Sequence, residues 1–391
     1  ERESEYSINK FERMEPLLDE AIRLDDPFAL AYTMLAQVYG QYYWLGKDIS
    51  DERLQLMKAA IDRAFTLQPE IPEARAALAD YYYRGFNDFA RSLQELRIVY
   101  EKYPNNADTN FKMAMAERRL GLWDDAIGHL LAGSQLDPLD MQMMMETVGT
   151  MQLAHKYAEA AELLDRLIRK YPENDDFKIL RASTYLNGYG DMPAARTLIE
   201  QSEKTSSFPV MFQLAQFWIL ARDYERAADV MYKLADQFGP VFPWFSDQVR
   251  GNIAYLSGKT DEAMTHFENG KEKADQFIND YCEECRISSL IEFNSFLENR
   301  DEVMRLAQIL FSDYPIEENT VDRPSTYENV AQAMARVGET KAALDLLETL
   351  VDQPAASSKW ALHLDPSWDF MRDNERFAAL TTPDGVQASE Q

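Results

Sequence analysis

The chain's two cysteines, Cys282 and Cys285, stand at CxxC spacing within Tyr281-Cys282-Glu283-Glu284-Cys285-Arg286. At that spacing a dithiol can do redox chemistry, or half of a zinc site can form. Neither chemistry is well served here. Glu283, Glu284 and Asp280 oppose thiolate formation, and zinc wants four ligands where the chain offers two cysteines and four scattered histidines. Two inert helical thiols are the expectation, with a local disulfide as the alternative. The histidines are His129, His155, His266 and His363. No triad partner is spaced to accompany any of them; His155 falls at a turn position that usually faces solvent, and His129 on a second helix. There is no Gly-rich phosphate loop, no HExxH and no nucleophile elbow. The sequence therefore predicts no catalytic residue, no metal and no cofactor, and so a protein that is not an enzyme.

What the sequence does contain is repetition. Ala126, Ala160, Ala194 and Ala227 lie 34, 34 and 33 residues apart, and each is followed four residues later by Leu130, Leu164, Leu198 or Met231. Pro69, Pro104, Pro138 and Pro172 keep nearly the same step. Proline lacks an N–H and clashes with the preceding turn, so each ends one helix and can open the next. Within a period the apolar residues step by three or four, as a helix requires. In the third unit Met113, Ala114 and Glu117 lie on a first helix, Leu120-Gly121-Leu122-Trp123 turns the chain, and Ala126, Leu130 and Gly133 line a second. Ala36, Ala79, Ala114, Ala182 and Ala215 supply small residues where two helix axes must approach closely.

This pattern resembles the tetratricopeptide (TPR) repeat, which carries small residues near its eighth and twentieth positions, an aromatic near the eleventh and proline near the thirty-second. Tyr39, Tyr82, Tyr185 and Trp218 take the aromatic position; Glu117 and Met151 depart from it. The resemblance covers residues ~27 to 350 as about nine units. It implies an all-α fold, a superhelical solenoid of antiparallel helix pairs. A further likeness is to one bacterial subgroup. It rests on the segment Ala21-Ile22-Arg23-Leu24-Asp25-Asp26-Pro27-Phe28-Ala29-Leu30-Ala31-Tyr32, on the long first insertion, on Gly85-Phe86-Asn87-Asp88-Phe89, and on the closing phrase Leu364-Asp365-Pro366-Ser367-Trp368-Asp369-Phe370-Met371-Arg372-Asp373-Asn374-Glu375-Arg376-Phe377. Such arrays form the carboxy-terminal sensor or scaffold half of membrane-anchored signalling proteins, behind winged-helix, nucleotide cyclase or kinase domains. The closing phrase should cap the array by turning Trp368, Met371, Phe377 and Leu380 inward.

Arrays of this kind bind on the concave face, made from first-helix residues that point away from the second helices. By register these are Gln37 and Gln41; Asp80, Tyr83 and Arg84; Phe111, Met115, Arg118 and Arg119; Met145 and Gln152; Asn187; and Phe212 and Gln216. The mixture of aromatic, Met, amide and guanidinium groups suits a protein or peptide partner, as an extended segment or an amphipathic helix. Arg84, Arg118 and Arg119 could hold a carboxylate bidentately; pairing with carboxylates of the chain itself is the competing reading. The lysine-and-asparagine clamp of chaperone-binding arrays is not matched, because Thr33, Ala76 and Phe111 fill the clamp lysine's position. Met141, Met143, Met144 and Met145 must divide between core and an adaptable surface, since four neighbours cannot share one helix face. A small-molecule-sensing or enzymatic groove is the alternative reading.

Forty Lys and Arg stand against 67 Asp and Glu, a formal net charge of −27. That excess repels nucleic acid and anionic lipid and favours a basic partner. The longest apolar stretch, Val210 to Ala221, is one helix long, short of the ~20 residues a membrane span needs. The opening on Glu1 suggests a processed or excised piece, expected to be the periplasmic or cytoplasmic soluble part of an anchored protein. Three departures from the period mark the likeliest sites of specificity: an insertion at 43–50, a polar break at 202–209, and steps of 40 and 40 from Ala263 to Val303 to Ala343. They suggest one solenoid over 1–201, a second with longer repeats over 208–380, and a tail over 381–391.

Overall fold

The computed structural model describes residues 8–202, 205, 207–239, 241–277 and 282–383. Among them there is no β-strand. Helix α1 (Ile8–Leu24) is followed by nine helix pairs. They are α2 (Ala29–Trp44) with α3 (Asp51–Leu67), α4 (Pro72–Phe86) with α5 (Phe89–Lys102), and α6 (Ala107–Arg119) with α7 (Trp123–Leu136). Next come α8 (Met141–Leu153) with α9 (Tyr157–Lys170), α10 (Asp175–Tyr189) with α11 (Met192–Ile199), and α12 (Phe208–Leu220) with α13 (Tyr224–Phe238). The last are α14 (Phe245–Leu256) with α15 (Thr260–Gln276), α16 (Glu283–Phe296) with α17 (Arg300–Asp313), and α18 (Arg323–Arg336) with α19 (Thr340–Leu350). Short helices α20 (Lys359–Leu364) and α21 (Glu375–Thr381) close the chain. The protein is an all-α helical-repeat solenoid. It divides into two compact units, Glu1–Thr147 and Val148–Gln391, with the boundary inside α8.

The local chemistry explains the periodicity. Pro104, Pro138 and Pro172 each stand one residue beyond the C-cap of α5, α7 and α9, and Pro69 does the same after α3. Each turn within a pair contains one residue in the left-handed region: Gly46, Asn87, Gly121, His155, Gly190, Arg222, Gly258, Glu298 or Gly338. Such a residue closes a helix by letting the chain reverse direction, and glycine does so without a Cβ penalty. Four residues after the N-cap of each second helix a buried residue meets the first helix; Ala126, Ala160, Ala227, Ala263 and Val303 are all fully buried. Facing them, Ala36, Ala79, Ala114 and Ala182 have no exposed area and Ala215 has 1%. The core is thus a line of close helix crossings rather than one central mass.

Several expectations need correcting. In the fifth pair the crossing residues are Ala195 and Ile199, both fully buried, while Ala194 and Leu198 are half-buried. Asp191 caps α11 by accepting from the Ala194 N–H, so Ala195 takes the place that Ala160 takes after Lys156. Helix α10 is two residues longer than α8, which shifts the step from 34 to 35. Cys282 and Cys285 form a disulfide, and are not two helical thiols. Cys282 is the N-cap of α16, with φ −146° and outside the helix, and this brings the two Cα atoms to 5.2 Å, inside the range a disulfide spans. The insertion at 43–50 is partly helical: α2 runs to Trp44, and Ser50 caps α3 by accepting from the Arg53 N–H. Thr381 is the last residue of α21 and is buried; residues 384–391 lie outside those described, as do Glu203, Lys204 and Ser206 of the polar stretch.

The closing phrase does cap the repeats. Trp368, Met371 and Phe377 are buried, and Leu380 packs against the same core as Leu344 and Leu347 of α19. Arg376 secures α21 to α19 through Asp345 at 2.7 Å and Glu348 at 2.8 Å.

Candidate functional site: the concave cavity of the first unit

A cavity of about 640 Å³ opens on the first unit. Its walls come from α1, from the first helices α2, α4 and α6, and from the start of α8. Because first-helix residues repeat with the solenoid, residues far apart in sequence converge at one surface. Gln37, Gln41, Asp80, Tyr83, Arg84, Phe111, Met115, Arg118 and Arg119 all line it. Met145 is half-buried on α8 and is not among the lining residues. Gln152, Asn187, Phe212 and Gln216 belong to the second unit. Gln152 is buried there, donating to the Leu180 carbonyl at 2.8 Å and to Thr184 Oγ1 at 2.9 Å. Asn187 donates to Ser183; Phe212 and Gln216 are exposed.

The polar lining residues tie each pair to the next. Lys112 of α6 reaches Asp80 of α4 at 3.0 Å and Asp108 at 3.2 Å. Arg119 Nε donates to the Tyr83 hydroxyl at 3.1 Å, and Arg118 pairs with Glu146 of α8 at 2.8 Å. With the Gln41 amide turned so that its oxygen faces Arg84, that oxygen accepts from both terminal nitrogens of the guanidinium, at 2.9 and 3.1 Å. Burial works against the charge on Lys112, but Asp80 and Asp108 outweigh it and raise its pKa above the ordinary lysine value. Arg118 therefore follows the competing reading and pairs with a carboxylate of the chain itself, while Arg84 and Arg119 meet the Gln41 amide and the Tyr83 hydroxyl; all three act as struts between neighbouring pairs. Between these struts stand the apolar surfaces: Trp44 against Tyr83 with ring centroids 5.8 Å apart, then Phe111, Met115 and Met143. Of the four clustered methionines, Met143 and Met144 are buried and Met141 and Met145 half-buried.

Sequence reasoning missed one wall. Lys10, Phe11 and Met14 of α1 line the cavity although α1 precedes the first repeat. Their signal was present: Phe11, Met14, Leu18, Ala21 and Ile22 step by three and four and pack on the core of α2 and α3.

The titratable histidines have structural settings. His129 Nδ1 lies 2.7 Å from Glu117, the residue that replaces the usual aromatic, and its ring meets Tyr100 edge-on. The hydrogen bond to Glu117 raises the His129 pKa above 6.5 despite its burial. This pair therefore stabilises the first unit fully below pH 6.5, and the contribution fades as pH rises through the raised value. Denaturant unfolding at pH 6 and pH 8 should show that fall in the native protein and not in Glu117→Gln; equal slopes would refute it. His129→Ala, which leaves Glu117 buried and alone, should cost about 1–3 kcal/mol. In the second unit His266 Nδ1 meets Asp247 at 2.9 Å. His155 is half-buried, stacks on Tyr157 and lies 2.9 Å from the Ala356 carbonyl, so it does not face solvent as its turn position suggested. Among the described residues no group of His, Cys, Asp and Glu is arranged to hold a metal ion, and no helix is long and apolar enough to cross a membrane.

Comparison with known proteins agrees with this architecture. Residues 154–209 match the family model described as tetratricopeptide repeat. That match covers one stretch of the array, from α9 to the start of α12, and the repeated helix pairs continue on either side of it. No curated protein matches the chain in sequence. Among solved structures it is similar to Pseudomonas aeruginosa pilF (16% identity, TM-score 0.40, 58% of this chain and 98% of that one). It is also similar to a tetratricopeptide repeat protein from Parabacteroides merdae (13%, 0.40, 71% and 97%) and to Naa15/Naa10 bound to HypK-THB (11%, 0.34, 89% and 62%).

Proposed function

We propose that the protein is a non-enzymatic scaffold that binds a protein or peptide segment in the concave cavity of its first unit. One observation carries this reading: four successive first helices and α1 converge on an open cavity that alternates aromatic and Met surface with fixed hydrogen-bonding groups. Apolar area would supply affinity, and the Gln, Asp and Arg groups would fix register. The cavity is polar and apolar in similar measure, with Lys10, Arg84, Lys112, Arg118 and Arg119 balanced by Asp80, Asp108, Asp137, Asp140 and Glu146. It therefore suits a segment carrying both signs of charge or none. A sensor or scaffold role in a bacterial signalling protein is the setting that the sequence resemblance supports.

The cavity volume favours a second reading, since 300–1,000 Å³ is also the range of small-molecule sites. Two variants separate the ideas. Gln37→Trp and Met115→Trp fill the cavity from two sides, whereas Leu131→Trp alters an exposed second-helix position. Recovery of a protein partner should fail with the first two and persist with the third. Native mass spectrometry that finds a co-purified small molecule, lost in the same two variants, would establish the second reading instead.

A further inference from the structure

The C-terminal segment does more than cap the last pair. In the second unit it runs back along the turns of the fourth, fifth and sixth pairs. The Ala355 N–H donates to the Leu153 carbonyl at 2.7 Å, and His155 Nε2 lies 2.9 Å from the Ala356 carbonyl, across 201 residues of sequence. The Trp360 ring covers Gly190 so closely that a Cβ there would fall 2.2 Å from the ring. Arg222 grips Asp369 with two hydrogen bonds of 2.6 and 2.8 Å. His155 and Arg222 occupy left-handed turn positions, with φ of 56° and 57°, where five of the nine turns use glycine. That conformation is disfavoured for residues with a Cβ, and in both the side chain reaches the returning segment.

The other side of the segment meets α18. Glu328, buried, accepts from both the N–H and the hydroxyl of Ser357 at 2.8 Å. Gln332 donates to Ser367 at 2.7 Å, and Arg336 lies 5.6 Å from the Phe370 ring centroid. Met371 and Phe377, which lie beyond this segment, are buried in the core of the last pairs, so the contacts to His155, Gly190 and Arg222 go beyond capping. They have the character of a bound linear peptide: backbone hydrogen bonds, a ring over a glycine, and a carboxylate in an arginine fork.

We propose that the turns bearing His155, Gly190 and Arg222, with the facing side of α18, form a segment-binding site that residues 355–370 occupy in cis, and that a linear segment of the same chemistry competes for it. That chemistry is a serine presenting two donors, then an aromatic ring, then a carboxylate. The site is separate from the cavity of the first unit.

Its occupancy depends on pH. Burial pushes the Glu328 carboxyl up to about 7, the Asp365 charge adds to this, and the two Ser357 donors oppose it. The charged and titratable groups around it are Asp365 and Arg372 on the segment, Arg336 on α18, Glu292 on α16 acting on Arg336, and His155 beyond Ala356. His363 lies on α20, lowered by burial and by Arg372. Release of the segment exposes the carboxyl to water and removes the burial that raises it, so its value falls back toward the ordinary 4.5. Docking therefore favours the protonated carboxyl: it is strongest below pH 4.5, weakens as pH rises to about 7, and is flat above. Between pH 6 and pH 8 the weakening is about tenfold.

The test uses the full chain and a labelled synthetic peptide with the sequence of residues 352–373. Asp369→Ala, an exposed change, and Trp360→Ala both weaken the cis segment while leaving the docking residues intact. The peptide should bind these variants at least about tenfold more tightly than the native protein, more tightly at pH 6 than at pH 8, and not at all once Arg222→Glu is added. Glu328→Gln should remove the pH dependence. Hydrogen exchange of residues 355–369 in the native protein, corrected for intrinsic rates, should lose about tenfold protection between pH 6 and pH 8. Equal peptide binding to native and weakened chains, or protection that ignores pH, would overturn the proposal.

Discussion

Replacing Phe267 by alanine is expected to destabilise the second unit by about 3–5 kcal/mol. Phe267 has no exposed area and stacks on Phe296 with centroids 4.0 Å apart and planes at 11°. The ring reaches this position because α14 is opened by Gly251, where a Cβ would fall 2.4 Å from Phe267 Cε1. Gly270 of α15 gives Phe293 the same room, at 2.7 Å. Three helices are therefore fitted around aromatic rings by residues that lack side chains, and such a site cannot collapse to fill the space the ring leaves. Hydrogen exchange of α14 to α16 would report the loss. A change below about 1 kcal/mol would mean that this packing is not tight.

The second large effect concerns binding. Tyr83→Ala and Phe111→Ala each remove an aromatic ring from the lining of the cavity of the first unit, and each should weaken the partner by about 30-fold or more, the measure of an interface hot spot. Neither residue is fully buried, so the fold should survive. Arg118→Glu is a less clean probe than its sequence suggested. It places a carboxylate beside Glu146, the residue Arg118 pairs with at 2.8 Å, and so disturbs the seam between α6 and α8 as well as any partner. Calorimetric titration of a recovered partner against the aromatic variants would separate these effects.

How much of this was legible in the sequence depended on whether the information was local. Ala126 and Ala160, the spaced prolines and the Asp365–Phe377 cap phrase report helix crossings, helix ends and a last apolar face, all within a few residues of themselves. Nine of the cavity residues, from Gln37 to Arg119, followed from register alone. Register failed where an element changed length. The longer α10 moved the fifth crossing from Ala194 to Ala195, and α1 lay outside the period that was being counted. It also failed where the backbone of one residue decided the outcome, as at Cys282, whose φ of −146° takes it off the helix. The return of residues 355–370 to His155 and Arg222 was beyond reach, because contacts across 201 and 147 residues leave no periodic trace. The one hint was that His155 and Arg222 stand where the other turns mostly carry glycine.

The central claim, that a partner lies in the concave cavity of the first unit, is tested most directly by site-specific photo-crosslinking. A photoreactive residue at Phe111 faces the cavity, and one at Leu131 stands exposed on the second helix of the same pair. The expected result is a partner adduct from position 111 and none from position 131. Adducts from 131 with none from 111 would place the partner on the other face and contradict the account.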